Sequence, residues 1–172
     1  MEAAHDPEQS SASWVARLVE LLQPLSVRAD RLAGTELFGG LRWVDLEFAA
    51  DLLRETEVER GTRMAVQGQP SRWFWLIIEG EAMVSANARP LRVAGYGDPV
   101  GLTSMVLGRG SPETAIALGP IRALVAGPEE FRKLVARPTV RARFAAVIRD
   151  AGRPGRRRPR PQSSEAASAS PL

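Results

Sequence analysis

Trp73-Phe74-Trp75-Leu76-Ile77-Ile78-Glu79-Gly80-Glu81-Ala82-Met83-Val84 is the stretch that decides the fold. The apolar run from Trp73 to Ile78 is far shorter than the ~20 residues a bilayer crossing needs. It is apolar on both faces, as a central strand of a two-layered β fold should be. Glu79-Gly80 is a tight-hairpin signal, and Ala82 to Ala86 reads as the return strand. Downstream, Asn87 to Pro90 turns the chain and Leu91 to Ala94 forms another strand. Thr114 to Leu118 and Ile121 to Ala126 read as a hairpin over Gly119-Pro120. Short strands between Gly/Pro turns predict a mainly β domain with flanking helices, a jelly roll of about eight strands over roughly 57–126.

Outward from the strands the period changes to that of helices. Val44, Phe48 and Leu52 with Leu46, Ala49 and Leu53 predict a helix over roughly 43–55. Further upstream, Trp14, Leu18, Leu21 and Leu25 recur at helical spacing. They predict a helix that starts after Ser13 and that Pro24 ends or bends near Leu22. Gly127-Pro128-Glu129-Glu130 opens another helix, with Pro at its first position and acids in its first turn. Pro138 separates it from a last helix over about 139–150. There Val140, Phe144, Val147/Ile148 and Ala151 form one apolar stripe, which either pairs two subunits weakly or folds back on the strands. The expected organisation is a disordered arm over 1–13, a helix and linker over 14–36, a domain over 37–152 and a disordered Arg/Pro-rich tail over 153–172.

Composition bounds the function. The chain has 172 residues, 44% hydrophobic and 25% charged, with net charge +3 and no Cys. That is an ordinary globular composition. It excludes a disulfide framework and thiolate metal sites. The acidic, polar N-terminus is no secretory signal, so a cytoplasmic location is expected. The only His is His5, in the predicted arm. A jelly-roll metal enzyme would need several His facing inward, and a Ser-His-Asp triad needs one, so both are excluded. No metal site, no cofactor and no enzymatic activity are expected. Glu79 and Glu81 are read as solvated turn residues, and Trp73 and Trp75 as core rather than a base-stacking platform.

The order of these elements resembles the cyclic-nucleotide-binding domain of the Crp–Fnr regulator family, over about Leu37 to Asp150. Leu37-Phe38-Gly39-Gly40-Leu41 is similar to its opening motif. Trp75 to Ala82 is similar to its strand–Gly–strand signature. Gly97-Asp98-Pro99-Val100-Gly101-Leu102 and Pro112-Glu113-Thr114-Ala115 stand where its phosphate-binding cassette belongs. The resemblance implies a ligand site built from Gly101, Leu102, Thr103, Ser104, Pro112, Glu113 and Thr114.

The resemblance also implies damage to that site. The family places a Glu just after the cassette Gly, for the ribose hydroxyl, and an Arg just after the cassette Pro, for the phosphate. Here Leu102 and Glu113 take those places. A carboxylate about 4 Å from a phosphate at an effective dielectric near 20 is unfavourable by about 4 kcal/mol. Leu102 withdraws a hydrogen-bond acceptor, a further cost of about 1–3 kcal/mol. Arg109 is expected to pair with Glu113 in a salt bridge, with a role as substitute phosphate contact as the alternative outcome.

The final helix is shorter than the family's dimerising helix, and no helix-turn-helix reader follows it in this sequence. The expected function is a non-enzymatic regulatory or protein-interaction module that has lost cyclic nucleotide binding, its partner another protein. The alternative is a sensor of a cyclic nucleotide or another small ligand in an altered pocket. A second alternative is nucleic-acid binding through tail contacts of Arg153, Arg156, Arg157, Arg158 and Arg160.

Overall fold

The computed structural model describes residues 25–151. The expected arm, the helix after Ser13 and the arginine tail lie outside the described residues. Two helices, α1 (Leu25–Ala33) and α2 (Trp43–Leu52), precede eight strands. The strands are β1 (Arg54–Val58), β2 (Arg63–Ala65), β3 (Phe74–Glu79), β4 (Ala82–Ala86), β5 (Arg89–Ala94), β6 (Pro99–Val100), β7 (Thr114–Ala117) and β8 (Ile121–Ala126). A short helix, α3 (Leu102–Leu107), sits between β6 and β7, and α4 (Pro128–Ala136) and α5 (Pro138–Ala151) close the described chain.

The strands form two four-stranded sheets, ordered β1-β8-β3-β6 and β2-β7-β4-β5. Every strand pairing is antiparallel. This is the expected jelly roll, with a different local wiring. β3 and β4 do not form a hairpin, because β3 pairs with β6 and β8 while β4 pairs with β5 and β7. Likewise β7 and β8 lie in different sheets, so Gly119-Pro120 is a crossing and not a hairpin turn. The two crossings touch: Gly80 has φ +85°, and a Cβ there would meet the Pro120 carbonyl at 2.4 Å. Only glycine fits both that backbone and that approach. The sequential hairpin is β4–β5, turned by Asn87 and Ala88 at positive φ.

The apolar strand at Phe74–Glu79 separates two cores. Phe74 and Leu76 point to one face and join the helices in a cluster with Leu37, Phe38, Leu53, Leu124, Phe131, Leu134, Val140 and Phe144. Ile77 points to the other face and joins Val58, Met64, Val84, Val100, Ala115 and Ile121 between the sheets, with Trp75 packed against them. An alternating strand with both faces buried has to be apolar throughout, which is what the sequence shows. Trp73 lies just outside β3 and is 48% exposed, so it is not a core residue.

Three boundaries differ from expectation. α2 ends at Leu52, because Leu53 is already extended and Arg54–Val58 pair in register with Val125–Ile121 of β8. β1 therefore starts at Arg54 rather than near 57, and Glu55 within it pairs with Arg31 of α1 and Arg122 of β8. α1 itself lies in the stretch expected to be linker, and it buries Ala29 and Leu32 in the helical core. At the other end, α4 starts with Pro128 followed by Glu129 and Glu130, as its cap signals predict. Its Glu129–Lys133 pair at 3.1 Å holds the Glu129 carboxyl below its ordinary pKa.

The α5 stripe folds back on its own chain. Val140 and Phe144 are fully buried, and Val147 and Ile148 pack against the same core. A second anchor lies at the α4–α5 junction. Arg137 donates to the Asp45 carboxylate of α2 at 3.1 Å and stacks on Phe48 at 4.2 Å. The Asp45 side chain is completely buried, and Arg42 supplies its second cation at 3.3 Å.

Candidate functional site

α3 and the segment leading into β7 sit where the cassette was expected. Gly101 caps α3 at φ +80°, and a Cβ on it would meet the Trp73 carbonyl at 2.4 Å. A left-handed backbone pressed against another main chain requires glycine here. The next residue, Leu102, does not open onto a pocket. Its side chain is buried in the helical core beside Phe74 and Leu124.

Most of the other expected site residues are engaged internally. Ser104 is buried, donates to the Arg109 carbonyl at 2.5 Å and accepts from the Ser71 N–H at 2.9 Å. Thr103 is half-buried on α3 and Pro112 is exposed. The Ser111 hydroxyl donates to the Glu113 carbonyl at 2.7 Å and fixes the turn into β7. Thr114 Oγ1 accepts from the Gln67 N–H at 2.9 Å, which ties the β2–β3 loop to β7. Arg109 is exposed at the end of α3. It is not the cation beside Glu113.

That cation is Arg92, which the sequence reading did not single out. Arg92 stands 3.6 Å from the Glu113 carboxylate and 3.9 Å from that of Asp98. Asp98 is buried and accepts the Gly95 N–H at 2.9 Å. Register explains how Arg92 reaches Glu113. Val84 of β4 is opposite Arg92 on one side and Ala115 on the other. Residues opposite one another share a face, and Val84 and Ala115 face the inter-sheet core. Arg92 is therefore on the inner face of its sheet. Strands lie about 4.8 Å apart, so β5 and β7 are nearly 10 Å from each other across β4. A long Arg and a Glu can meet over that gap, above Val84. The result is one cation held between two carboxylates where a phosphate-binding site would need an excess of positive charge.

A separate cavity of about 210 Å³ is lined by Arg31, Ile78, Glu79, Tyr96 and Arg122. Its guanidinium groups already have carboxylate partners, since Glu55 pairs with both Arg31 and Arg122 and Glu79 pairs with Arg122. Among the described residues, no cluster of His, Cys, Asp and Glu could hold a metal ion. None of their helices is long and apolar enough to cross a membrane.

Comparison with known proteins agrees with this fold. The catabolite activator protein of Thermus thermophilus matches with TM-score 0.61 and 21% identity, over 68% of this chain and 58% of that one. A cAMP-binding acyltransferase from Mycobacterium smegmatis matches with TM-score 0.54 and 28% identity, over 73% of this chain and 41% of that one. The regulatory subunit of a cAMP-independent protein kinase A from Trypanosoma cruzi, bound to guanosine, matches with TM-score 0.64 and 19% identity, over 76% and 46%. This chain thus spans about half the length of these three structures. Residues 55–138 match the family described as cyclic nucleotide-binding domain. With two four-stranded sheets, a glycine-capped α3 and flanking helices around it, the chain carries over residues 55–138 a domain that matches the cyclic nucleotide-binding family.

Proposed function

We propose that this chain is a non-enzymatic regulatory module that acts through contacts with another protein in the cytoplasm and has lost cyclic nucleotide binding. The observation that carries the reading is Glu113. It follows Pro112, where the family's phosphate-binding Arg belongs, and its carboxylate is held beside Arg92 on the inner face of the sheet. An incoming cyclic phosphate would meet Glu113 and Asp98 against a single cation. At an effective dielectric near 20, each like-charge contact at 4 Å costs about 4 kcal/mol before Arg92 offsets part of it. Leu102 deepens the loss, because a side chain committed to the helical core offers a ribose hydroxyl nothing.

Calorimetry with cyclic AMP and cyclic GMP tests this. Dissociation constants weaker than about 100 μM, roughly −5.5 kcal/mol or less of binding, are expected. Binding in the low micromolar range would refute the reading.

A second reading is a sensor of an uncharged ligand. The Trypanosoma cruzi neighbour is described with guanosine, a nucleoside that carries no phosphate. An acidic inner face disfavours an anion but not a neutral ribonucleoside. Titration with guanosine and adenosine in the same calorimeter separates the two readings. Heat from a nucleoside but not from its cyclic phosphate supports the sensor.

A further inference from the structure

We infer that Arg92 is a latent anion-binding residue and that Glu113 is its built-in occupant. The idea deepens the proposed loss of cyclic nucleotide binding and rests on that reading of the site. Three observations carry it. The first is position: register sets Arg92 on the inner face, opposite Val84, within reach of the segment that leads into β7. The second is accessibility. The Arg92 and Glu113 side chains are 41% and 36% exposed, whereas Ala82, Val84, Ala94, Ala115 and Ala117 around them on the same sheet are buried. Solvent, and therefore a small anion, can reach this guanidinium.

The third observation is how the pair is held. Its separations of 3.6 and 3.9 Å are longer than the 2.7–2.9 Å of a charge-assisted hydrogen bond. Arg92 is thus held by charge and not locked by geometry, and a better-placed phosphate oxygen could replace the Glu113 carboxylate. Asp98 differs from Glu113 in being buried and fixed by the Gly95 N–H, so it stays to orient the guanidinium. With Glu113 ionised, the three groups sum to one negative charge and repel an anion. With Glu113 neutral, Arg92 and Asp98 balance, and a guanidinium suited to bidentate phosphate binding faces the site.

The test uses the whole chain in four forms: unmodified, Glu113→Gln, Arg92→Gln, and both together. Each is titrated calorimetrically with cyclic AMP, and with inorganic phosphate as a competitor. Glu113→Gln is expected to bind cyclic AMP at least about tenfold tighter than the unmodified chain, a shift of 1.4 kcal/mol. Adding Arg92→Gln should remove that gain, and phosphate should compete only where Arg92 is present. Both positions are partly exposed, so thermal melts should stay close together. Glu113→Ala serves if the Gln variant does not fold. No gain in either Glu113 variant, or a gain that survives loss of Arg92, overturns the inference. Tight cyclic AMP binding by the unmodified chain would instead refute the proposed loss of binding. The inference falls only on the comparison between the single and double variants.

Discussion

Replacing Phe144 with Ala tests whether α5 belongs to the core in solution. The ring has no exposed surface and meets three others. It is edge-on to Phe38 at 5.5 Å, tilted to Phe74 at 5.8 Å and stacked on Phe131 at 5.9 Å. These rings come from β3, α4 and the segment after α1, so Phe144 holds elements that are far apart in sequence. Truncating a buried Phe to Ala costs about 3–5 kcal/mol in lost transfer energy and cavity formation. Aromatic pairs of this geometry add about 0.5–1.5 kcal/mol beyond area, which places the expected loss in the upper part of that range, about 4–5 kcal/mol. For a domain of this size the melting temperature should fall by roughly 10–20 °C. Urea unfolding followed by circular dichroism measures it, and an unchanged m-value shows that the native state stays compact. A loss below about 1 kcal/mol would mean that the ring is not packed in solution and would return α5 to the role of a subunit seam.

Gly101→Ala should cost more than about 2 kcal/mol, read by thermal melting, because it places a Cβ 2.4 Å from the Trp73 carbonyl on a backbone at φ +80°. Glu113→Arg should raise cyclic AMP binding to a measurable level in calorimetry, because it replaces the repelling carboxylate beside Arg92 with a second cation. Leu102→Glu should destabilise the fold by several kcal/mol in urea, since it drives a charge into the helical core. Arg137→Met should cost about 2 kcal/mol or more, because the buried Asp45 keeps only Arg42, whose side chain is largely exposed. A loss near zero would show that Arg42 alone satisfies the carboxylate.

The fold class was legible because it rests on local periods. Strands with Gly/Pro turns announce a jelly roll, and Pro128-Glu129-Glu130 announces a helix start, whatever lies elsewhere in the chain. Sheet membership was not legible. A tight Glu79-Gly80 turn serves a hairpin and a crossing between sheets equally well, and only the partners Leu124 and Ala115, tens of residues away, decide. The end of α2 was lost for the same reason: Leu53 continues the helical apolar pattern, yet the pairing of Arg54 and Glu55 with β8 takes the chain out of the helix. α1 was hidden by a symmetric signal. Leu25, Ala29 and Leu32 have helical spacing, but Pro24 before them was read as a stop, and a proline is as good a sign that a helix begins.

The candidate site divides along the same line. Gly101 and Glu113 could be placed by motif, because both follow a local landmark. The partner of Glu113 could not. Arg109 is four residues from Glu113 in sequence, and nearness along the chain made it the obvious cation. Arg92 is 21 positions away, but it lies on a strand that flanks β4 on one side while Glu113 leads into the strand that flanks it on the other, and sheet order sets the distance between side chains. A sequence without its register gives no reason to prefer one arginine over another in a chain that uses arginine for nearly every cation. Leu102 shows the converse. Its place after Gly101 suggested a pocket wall, but a leucine at the start of a short helix lying over Phe74 gains more from burial, about 1.5–3 kcal/mol, than from lining a wet site. Leu102 thus adds to the core, and Glu113 finds its counter-ion across the sheet. Each suits the proposed module, which would keep its shape without a ligand.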